Sequence, residues 1–160
     1  MGNSNQPTCN APITVDYPID EYGFDTTECA VLDVMRRFFG AFAFPKSHAW
    51  LGAFAAAESR FGPQGAVLAL RIAKTIQILR SNRTADFGFI NPDCPCCRHR
   101  ITAEERYFIT TLHAVRRGQG AEATLNALFV CSGQDPAPLV AATKQLATDL
   151  ASYEVLHPAN

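Results

Sequence analysis

The amino-acid sequence predicts an all-α protein: a compact bundle of about six helices with a cysteine-rich loop before the fourth helix. Its 160 residues and 48% hydrophobic content suit one ordinary domain with a buried core. Apolar residues recur at helical spacing, for example at Leu68, Ile72, Ile76 and Leu79. Strand-type alternation is scarce, which favours the all-α class over a mixed fold.

Capping signals mark where the helices begin. Asp25 with Glu28 and Thr102 with Glu105 have capping-box spacing, in which each side chain accepts a backbone N–H left unpaired in the first turn. Proline, which disrupts a helix interior but suits its first turn, interrupts the chain at several of the remaining boundaries. The predicted helices cover residues 25–42, 47–60, 63–81, 103–117, 121–131 and 136–153.

The chain divides into an extended N-terminal arm over residues 1–24, one helical domain over 25–153 and a short tail over 154–160. The first ten residues lack the basic flank and apolar stretch of a secretory signal, so a cytoplasmic location is expected. The longest apolar run, 38–44, is too short to cross a bilayer, and membrane insertion is not predicted.

The knuckle, residues 93–100, carries the clearest chemical signal in the chain. Cys94 and Cys97 form a CxxC pair, and two thiolates at this spacing can bind one tetrahedral Zn²⁺ from the same side of a tight turn. His99 is the third candidate ligand by proximity. Cys131 is the fourth, because an antiparallel pair of helices over 103–131 would return it to the knuckle. Cys96 is an alternate ligand or a redox thiol.

Other interpretations of the same cysteines remain open. An iron–sulfur cluster would use Cys94, Cys96, Cys97 and Cys131, although their spacing differs from the ferredoxin patterns. Nearby arginines and a helix N-terminus favour thiolates, which would also suit a redox sensor. Alternatively, no metal binds, and Cys29 and Cys131 are small core residues.

Basic residues concentrate in the middle of the chain, although the formal net charge is only -1. Between residues 71 and 117 nine Lys and Arg oppose four Asp and Glu, a balance of +5. This surface could contact nucleic-acid phosphates, while a solvated helical face is the simpler interpretation. The candidate phosphate contacts are Arg71, Lys74, Arg80, Arg83, Arg98, Arg100, Arg116 and Arg117.

No complete catalytic motif is present, and no catalytic residue is assigned. The sequence therefore predicts a non-enzymatic, zinc-binding regulatory or adaptor protein that could act in transcription, with a protein or nucleic acid as its partner. An iron–sulfur or thiol-based redox sensor is the alternative. An enzyme with Cys96 or Cys97 as its nucleophile is the third hypothesis.

Overall fold

A computed structural model describes residues 17–157 of the chain, and these residues are mostly helical. Residues 1–16 of the predicted arm and 158–160 of the predicted tail lie outside the described residues. Two short strands, β1 (Tyr17–Pro18) and β2 (Arg100–Ile101), accompany the helices. The helices are α1 (Thr26–Ala43), α2 (Ala49–Phe61), α3 (Gly65–Asn82), α4 (Ala103–Arg116), α5 (Gly120–Val130) and α6 (Ala137–Leu156).

Both predicted capping boxes are present. At the start of α1, the Glu28 N–H donates to Asp25 Oδ1 at 2.8 Å, and the Asp25 N–H donates to Glu28 Oε2 at 3.0 Å. At the start of α4, Thr102 and Glu105 make the same reciprocal pair. These bonds satisfy amide groups that have no partner within a helix, and they fix where α1 and α4 begin.

The helices pack in a ring of contacts. Helix α1 packs on α2, α2 on α3, α3 on α6, α6 on α4, and α4 on α5, while α1 also contacts α3 and α4. Gly65 lets α3 approach α2 closely, because an added Cβ would lie 2.5 Å from the Glu58 backbone. The fully buried core side chains include Leu32, Met35, Leu68, Ile72, Ile76, Phe108 and Leu112.

The segment between α3 and α4 is a long connection that aromatic and polar contacts hold in place. The Phe87 ring stacks on Phe39 of α1, with centroids 4.1 Å apart. Ile90 is buried, and the Thr102 hydroxyl donates to the carbonyl oxygen of Gly88 at 2.8 Å. These anchors place the knuckle against α1, immediately before β2.

Strands β1 and β2 pair antiparallel, which the sequence did not predict. Tyr17 is opposite Ile101, and Pro18 is opposite Arg100. The Ile19 N–H then donates to the carbonyl oxygen of His99 at 3.0 Å. The described end of the predicted N-terminal arm therefore lies along the knuckle.

The helix boundaries differ from the sequence prediction by at most three residues. Helix α2 begins at Ala49 instead of near Ser47, because His48 has a φ of 53° in the left-handed region and interrupts the regular backbone. Ser47 still stabilises the start of α2, since its hydroxyl oxygen accepts from the Ala49 N–H at 3.3 Å. Helix α6 continues to Leu156, three residues into the predicted tail.

Within residues 17–157, no helix combines the length and apolar character that crossing a membrane requires.

Candidate functional site

The knuckle consists of successive tight turns, one closed on the Cys94 carbonyl oxygen and the next on that of Cys97. The carbonyl oxygen of Cys94 accepts from the Cys97 N–H at 3.3 Å and from the Arg98 N–H at 3.0 Å. Cys94 and Cys97 are half-buried, whereas Cys96 is exposed. The backbone thus has the compact turn that a CxxC pair needs, and Cys96 is the accessible thiol of the three.

Arg36 of α1 anchors the backbone that follows the knuckle. Its Nη1 donates to the carbonyl oxygen of Arg98 at 2.9 Å, and its Nη2 donates to that of Arg100 at 2.5 Å. The neighbouring Arg37 pairs with Asp93 at 3.1 Å, on the other side of the cysteines. Adjacent arginines of α1 therefore hold both ends of the knuckle.

Glu105 of α4 pairs with the same Arg36 guanidinium. Arg36 Nε lies 2.7 Å from Glu105 Oε1, and the two side chains are 3% and 0% exposed. Glu105 Oε1 also accepts from the Ile90 N–H at 3.0 Å. This buried ion pair joins α1, α4 and the loop that carries the cysteines.

Cys131 occupies a different environment. Helices α4 and α5 form the expected antiparallel pair, and the Tyr107 and Phe129 rings meet at 5.1 Å near its open end. The Cys131 thiol is buried beside Asn82, and burial raises its pKa above the ordinary value. The thiol is hydrogen-bonded to Asn82, the last residue of α3, and lies near Arg83.

The described residues contain no group of three or more His, Cys, Asp or Glu side chains that could hold a metal ion. The four predicted ligands Cys94, Cys97, His99 and Cys131 are therefore not assembled there into a recognisable metal centre. The predicted zinc site and the iron–sulfur alternative both stay predictions, to be decided by metal analysis.

A cleft of about 1070 Å³ borders the knuckle. One face of α1 lines the cleft with Cys29 and Leu32. Burial raises the pKa of the Cys29 thiol, and the nearby carboxylates of Asp25 and Glu28 raise it further. Charged side chains of both signs surround this face, so no single ligand charge is favoured. They are Asp20, Asp33, Asp93, Arg36, Arg37, Arg60 and Arg98.

Several predicted phosphate contacts have carboxylate partners within the protein. Arg71 pairs with Asp149 at 2.6 Å, and Arg83, nearly buried, lies 3.6 Å from Glu104. Arg80 instead stacks on the Phe42 ring. The remaining members of the set are Lys74 on α3, Arg98 and Arg100 at the knuckle, and Arg116 and Arg117 after it. They lie on several elements, and their contact with phosphate stays a prediction.

Arg116 and Arg117 belong to an ion-pair network around the buried Glu28, which the sequence did not predict. Glu28, which is fully buried, accepts from Arg116 at 2.9 Å and from Arg117 at 3.0 Å, and lies 3.0 Å from His113 Nδ1. Arg116 also pairs with Glu154 of α6 at 2.7 Å. Nearby carboxylates raise the pKa of Arg116, outweighing the opposing effect of burial. These residues therefore stabilise the junction of α1, α4 and α6.

Helix α5 has large apolar side chains on its exposed side. Leu125 is 52% exposed, Leu128 is 37% exposed and Phe129 is 50% exposed, and their spacing places them on one surface of the helix. We call these three residues the α5 apolar face. The polar side chains of Thr124 and Asn126 hydrogen-bond to carbonyl oxygens of the same helix.

An aromatic row continues from this face. Tyr107 contacts Phe129, and the Arg106 guanidinium lies 4.3 Å above the Tyr107 ring and 5.7 Å from the Tyr22 ring. Tyr22 in turn meets Tyr17 edge to face. Arg106 Nε is buried and has no hydrogen-bond partner among the described residues. This row joins residues that are distant in sequence, so the continuation of the α5 apolar face through Arg106 depends on tertiary packing.

No protein-family model matches this chain, and searches of curated proteins and of solved structures found no match. These comparisons consequently provide no family or homologue that indicates an enzymatic activity.

Proposed function

We propose that this protein is a non-enzymatic regulatory or adaptor protein that binds another protein through the α5 apolar face. The exposure of Leu125, Leu128 and Phe129 is the observation that carries the proposal. Large apolar side chains gathered on one exposed surface are typical of protein interaction sites. The adjoining Tyr and Arg side chains are residue types enriched at energetically important interface positions.

A protein is favoured over nucleic acid by the charge of this surface. Helix α5 contains no Lys or Arg, and Glu122 is its acidic residue. A phosphate backbone needs several cationic contacts, which this helix lacks. The nearest cation in the aromatic row is Arg106, which contacts Tyr107.

Arg106 also defines the chemistry of the partner. Among the described residues no carboxylate pairs with its guanidinium, although the flanking rings of Tyr22 and Tyr107 hold it in position. A carboxylate from a partner would make a charge-assisted contact there. The partner segment that fits is therefore an amphipathic helix with large apolar side chains and an Asp or Glu beside them.

Site-specific photocrosslinking identifies such a partner. A photoreactive amino acid at position 125 is compared in the native host cell with one at position 148, which lies exposed on α6. We expect a distinct crosslinked protein from position 125 only. The identified partner is then purified, and its affinity is measured for the unmodified protein and for Leu125→Glu, which we expect to weaken binding at least tenfold.

Arg106→Gln tests the charged part of the same proposal. It should weaken binding of the purified partner and reduce the dependence of affinity on salt, because it removes one ion pair from the interface. Thr148→Glu is the matched control on α6 and should leave affinity unchanged. Equal crosslinking from positions 125 and 148, or unchanged affinity in Leu125→Glu, would refute the proposed docking surface.

Metal analysis tests a separate proposal, that the knuckle binds a structural zinc ion. About one zinc per chain, lost in Cys94→Ser and retained in Cys96→Ser, would support a structural site at the knuckle. Iron with visible absorption would support the cluster alternative. Metal-free protein whose unfolding is insensitive to chelator would exclude structural zinc, and reversible oxidation of the cysteines would then be the remaining test of a redox sensor.

A further inference from the structure

The turn between α1 and α2 projects a second group of large apolar side chains. Phe44 is 68% exposed, Trp50 is 46% exposed and Leu51 is 56% exposed. Every residue from 43 to 48 is exposed. We call residues 43–51 the α1–α2 corner. It lies away from the knuckle turn in sequence and contributes no residue to the α5 apolar face.

Local contacts hold the corner in shape. The Trp50 ring meets Phe54 edge to face at 6.5 Å, and Phe54 meets the buried Phe38 at 5.9 Å. The Ser47 N–H and hydroxyl both donate to the carbonyl oxygen of Phe44, at 2.9 and 2.6 Å. The Trp50 ring is therefore connected to the core through Phe54, and the Ser47 bonds fix the backbone at Phe44.

The charge of the corner differs from that of α5. From residue 34 to residue 57 the sequence contains no Asp or Glu, whereas Lys46 stands between Phe44 and Trp50. Arg80 adds a second cation nearby, with its guanidinium 4.1 Å from the Phe42 ring. Asp86 shares a groove with Phe42 and Arg80, and Glu58 lies about two turns beyond Leu51 on α2, whereas residues 43–51 themselves contain Lys46 and no acidic residue.

From these observations we propose that the α1–α2 corner docks on the surface of a lipid bilayer containing anionic headgroups. Exposed Trp and Phe side chains suit the boundary between headgroups and acyl chains. Lys46 would meet the negative headgroup layer at the same depth. The binding is interfacial, with a few side chains entering the headgroup region and no segment crossing the bilayer.

Charge complementarity favours a bilayer over a protein at this corner. The two exposed apolar surfaces offer a direct contrast, because Lys46 accompanies the corner and Glu122 accompanies α5. An anionic membrane attracts the first surface and repels the second. If both proposals hold, an adaptor would bring its protein partner to a membrane surface, but the membrane proposal does not depend on the partner.

Trp50 provides a direct readout, because it is the only tryptophan in the sequence. The full chain is mixed with vesicles of phosphatidylcholine and phosphatidylglycerol, and separately with vesicles of phosphatidylcholine alone. We expect a blue shift of tryptophan emission and co-flotation of the protein with the anionic vesicles. Binding should decrease with added salt, because headgroup attraction is screened.

Three variants test which side chains are responsible. Phe44→Ser and Lys46→Glu should each weaken binding to anionic vesicles about tenfold, the first by removing apolar contact and the second by reversing a charge. Phe129→Ser is the matched control, since it removes an exposed aromatic ring from α5 and should bind like the unmodified protein. Circular dichroism and thermal unfolding confirm that each variant is folded.

Any of the following results would overturn the membrane proposal. Absence of both the blue shift and co-flotation would exclude membrane docking, as would equal binding by the unmodified protein and Lys46→Glu. Equal loss in Phe129→Ser would indicate nonspecific hydrophobic adsorption. A blue shift produced by a purified protein partner, with none produced by vesicles, would assign the corner to a protein interface.

Discussion

Arg36 and Glu105, which lie 69 residues apart in the sequence, form a two-point ion pair in the interior. Arg36 Nε donates to Glu105 Oε1 at 2.7 Å, and Arg36 Nη2 donates to Glu105 Oε2 at 2.9 Å. Both side chains are almost completely buried. Charged groups lose hydration in such an environment, so each of the two depends on the other.

Arg36→Met should consequently destabilise the protein by about 3 to 5 kcal/mol, because Glu105 would be left buried without its charged partner. Urea unfolding of the variant and the unmodified protein measures this difference. Arg71→Met is the matched control, since its pair with Asp149 is about one-third exposed and should cost no more than about 1 kcal/mol. Similar losses in both variants would show that burial of the Arg36 pair is not decisive.

Two glycines give opposite predictions. Gly65→Ala should destabilise the protein by about 1 to 3 kcal/mol or more, because the new Cβ would collide with the α2 backbone at Glu58. Gly40→Ala should stabilise it by about 0.5 to 1 kcal/mol, since Gly40 lies inside α1 with open space around the added Cβ. The free energy of unfolding in urea, measured for both variants and for the unmodified protein, tests these two predictions. A Gly65→Ala variant as stable as Gly40→Ala would contradict the close contact of α2 and α3.

The Cys131 thiol should make stability decrease at alkaline pH. Its pKa is raised in the folded protein, mainly by burial, so the folded chain releases this proton less readily than the unfolded chain. The contribution is fully present below the ordinary pKa of 9.0 and is lost as pH rises toward the raised value. The free energy of unfolding, measured at pH 7 and at alkaline pH, should therefore fall less steeply in Cys131→Ala.

Alkylation provides an independent check on the same thiol. Cys96 is exposed and Cys131 is buried, so mass spectrometry should detect iodoacetamide on Cys96 long before Cys131. In urea, where the protein is unfolded, the two thiols should be labelled at similar rates. Rapid labelling of Cys131 in the folded protein would contradict its burial beside Asn82.

Local sequence signals predicted the helices well because they act over a few residues. Asp25 with Glu28 and Thr102 with Glu105 lie three positions apart, and their reciprocal bonds are present. His48 shows where local reasoning fails, since its left-handed backbone moves the start of α2 past the expected position. No residue type there requires that conformation.

The surroundings of the candidate site were less predictable because they depend on residues distant in sequence. The basic side chain of Arg116 suggested a phosphate contact, yet it pairs with Asp25, Glu28 and Glu154 from two other helices. Similarly, the spacing of Cys94 and Cys97 indicated a turn, but not which other side chains would surround it. Charge clusters and cysteine spacing indicate which interactions a side chain can make, whereas tertiary packing determines which residue it contacts.

The carboxylate of Glu105 also affects the order in which structure can form. It accepts from the amides of Thr102 and Ile90 as well as from Arg36, so one side chain completes a helix start, fixes a loop and pairs with another helix. The buried negative charge of Glu105 is neutralised only when Arg36 is in place. Folding of α4 and docking of the cysteine loop on α1 should therefore occur as one cooperative unit, and the Ile90 amide, although outside regular secondary structure, should exchange with solvent as slowly as core helix amides.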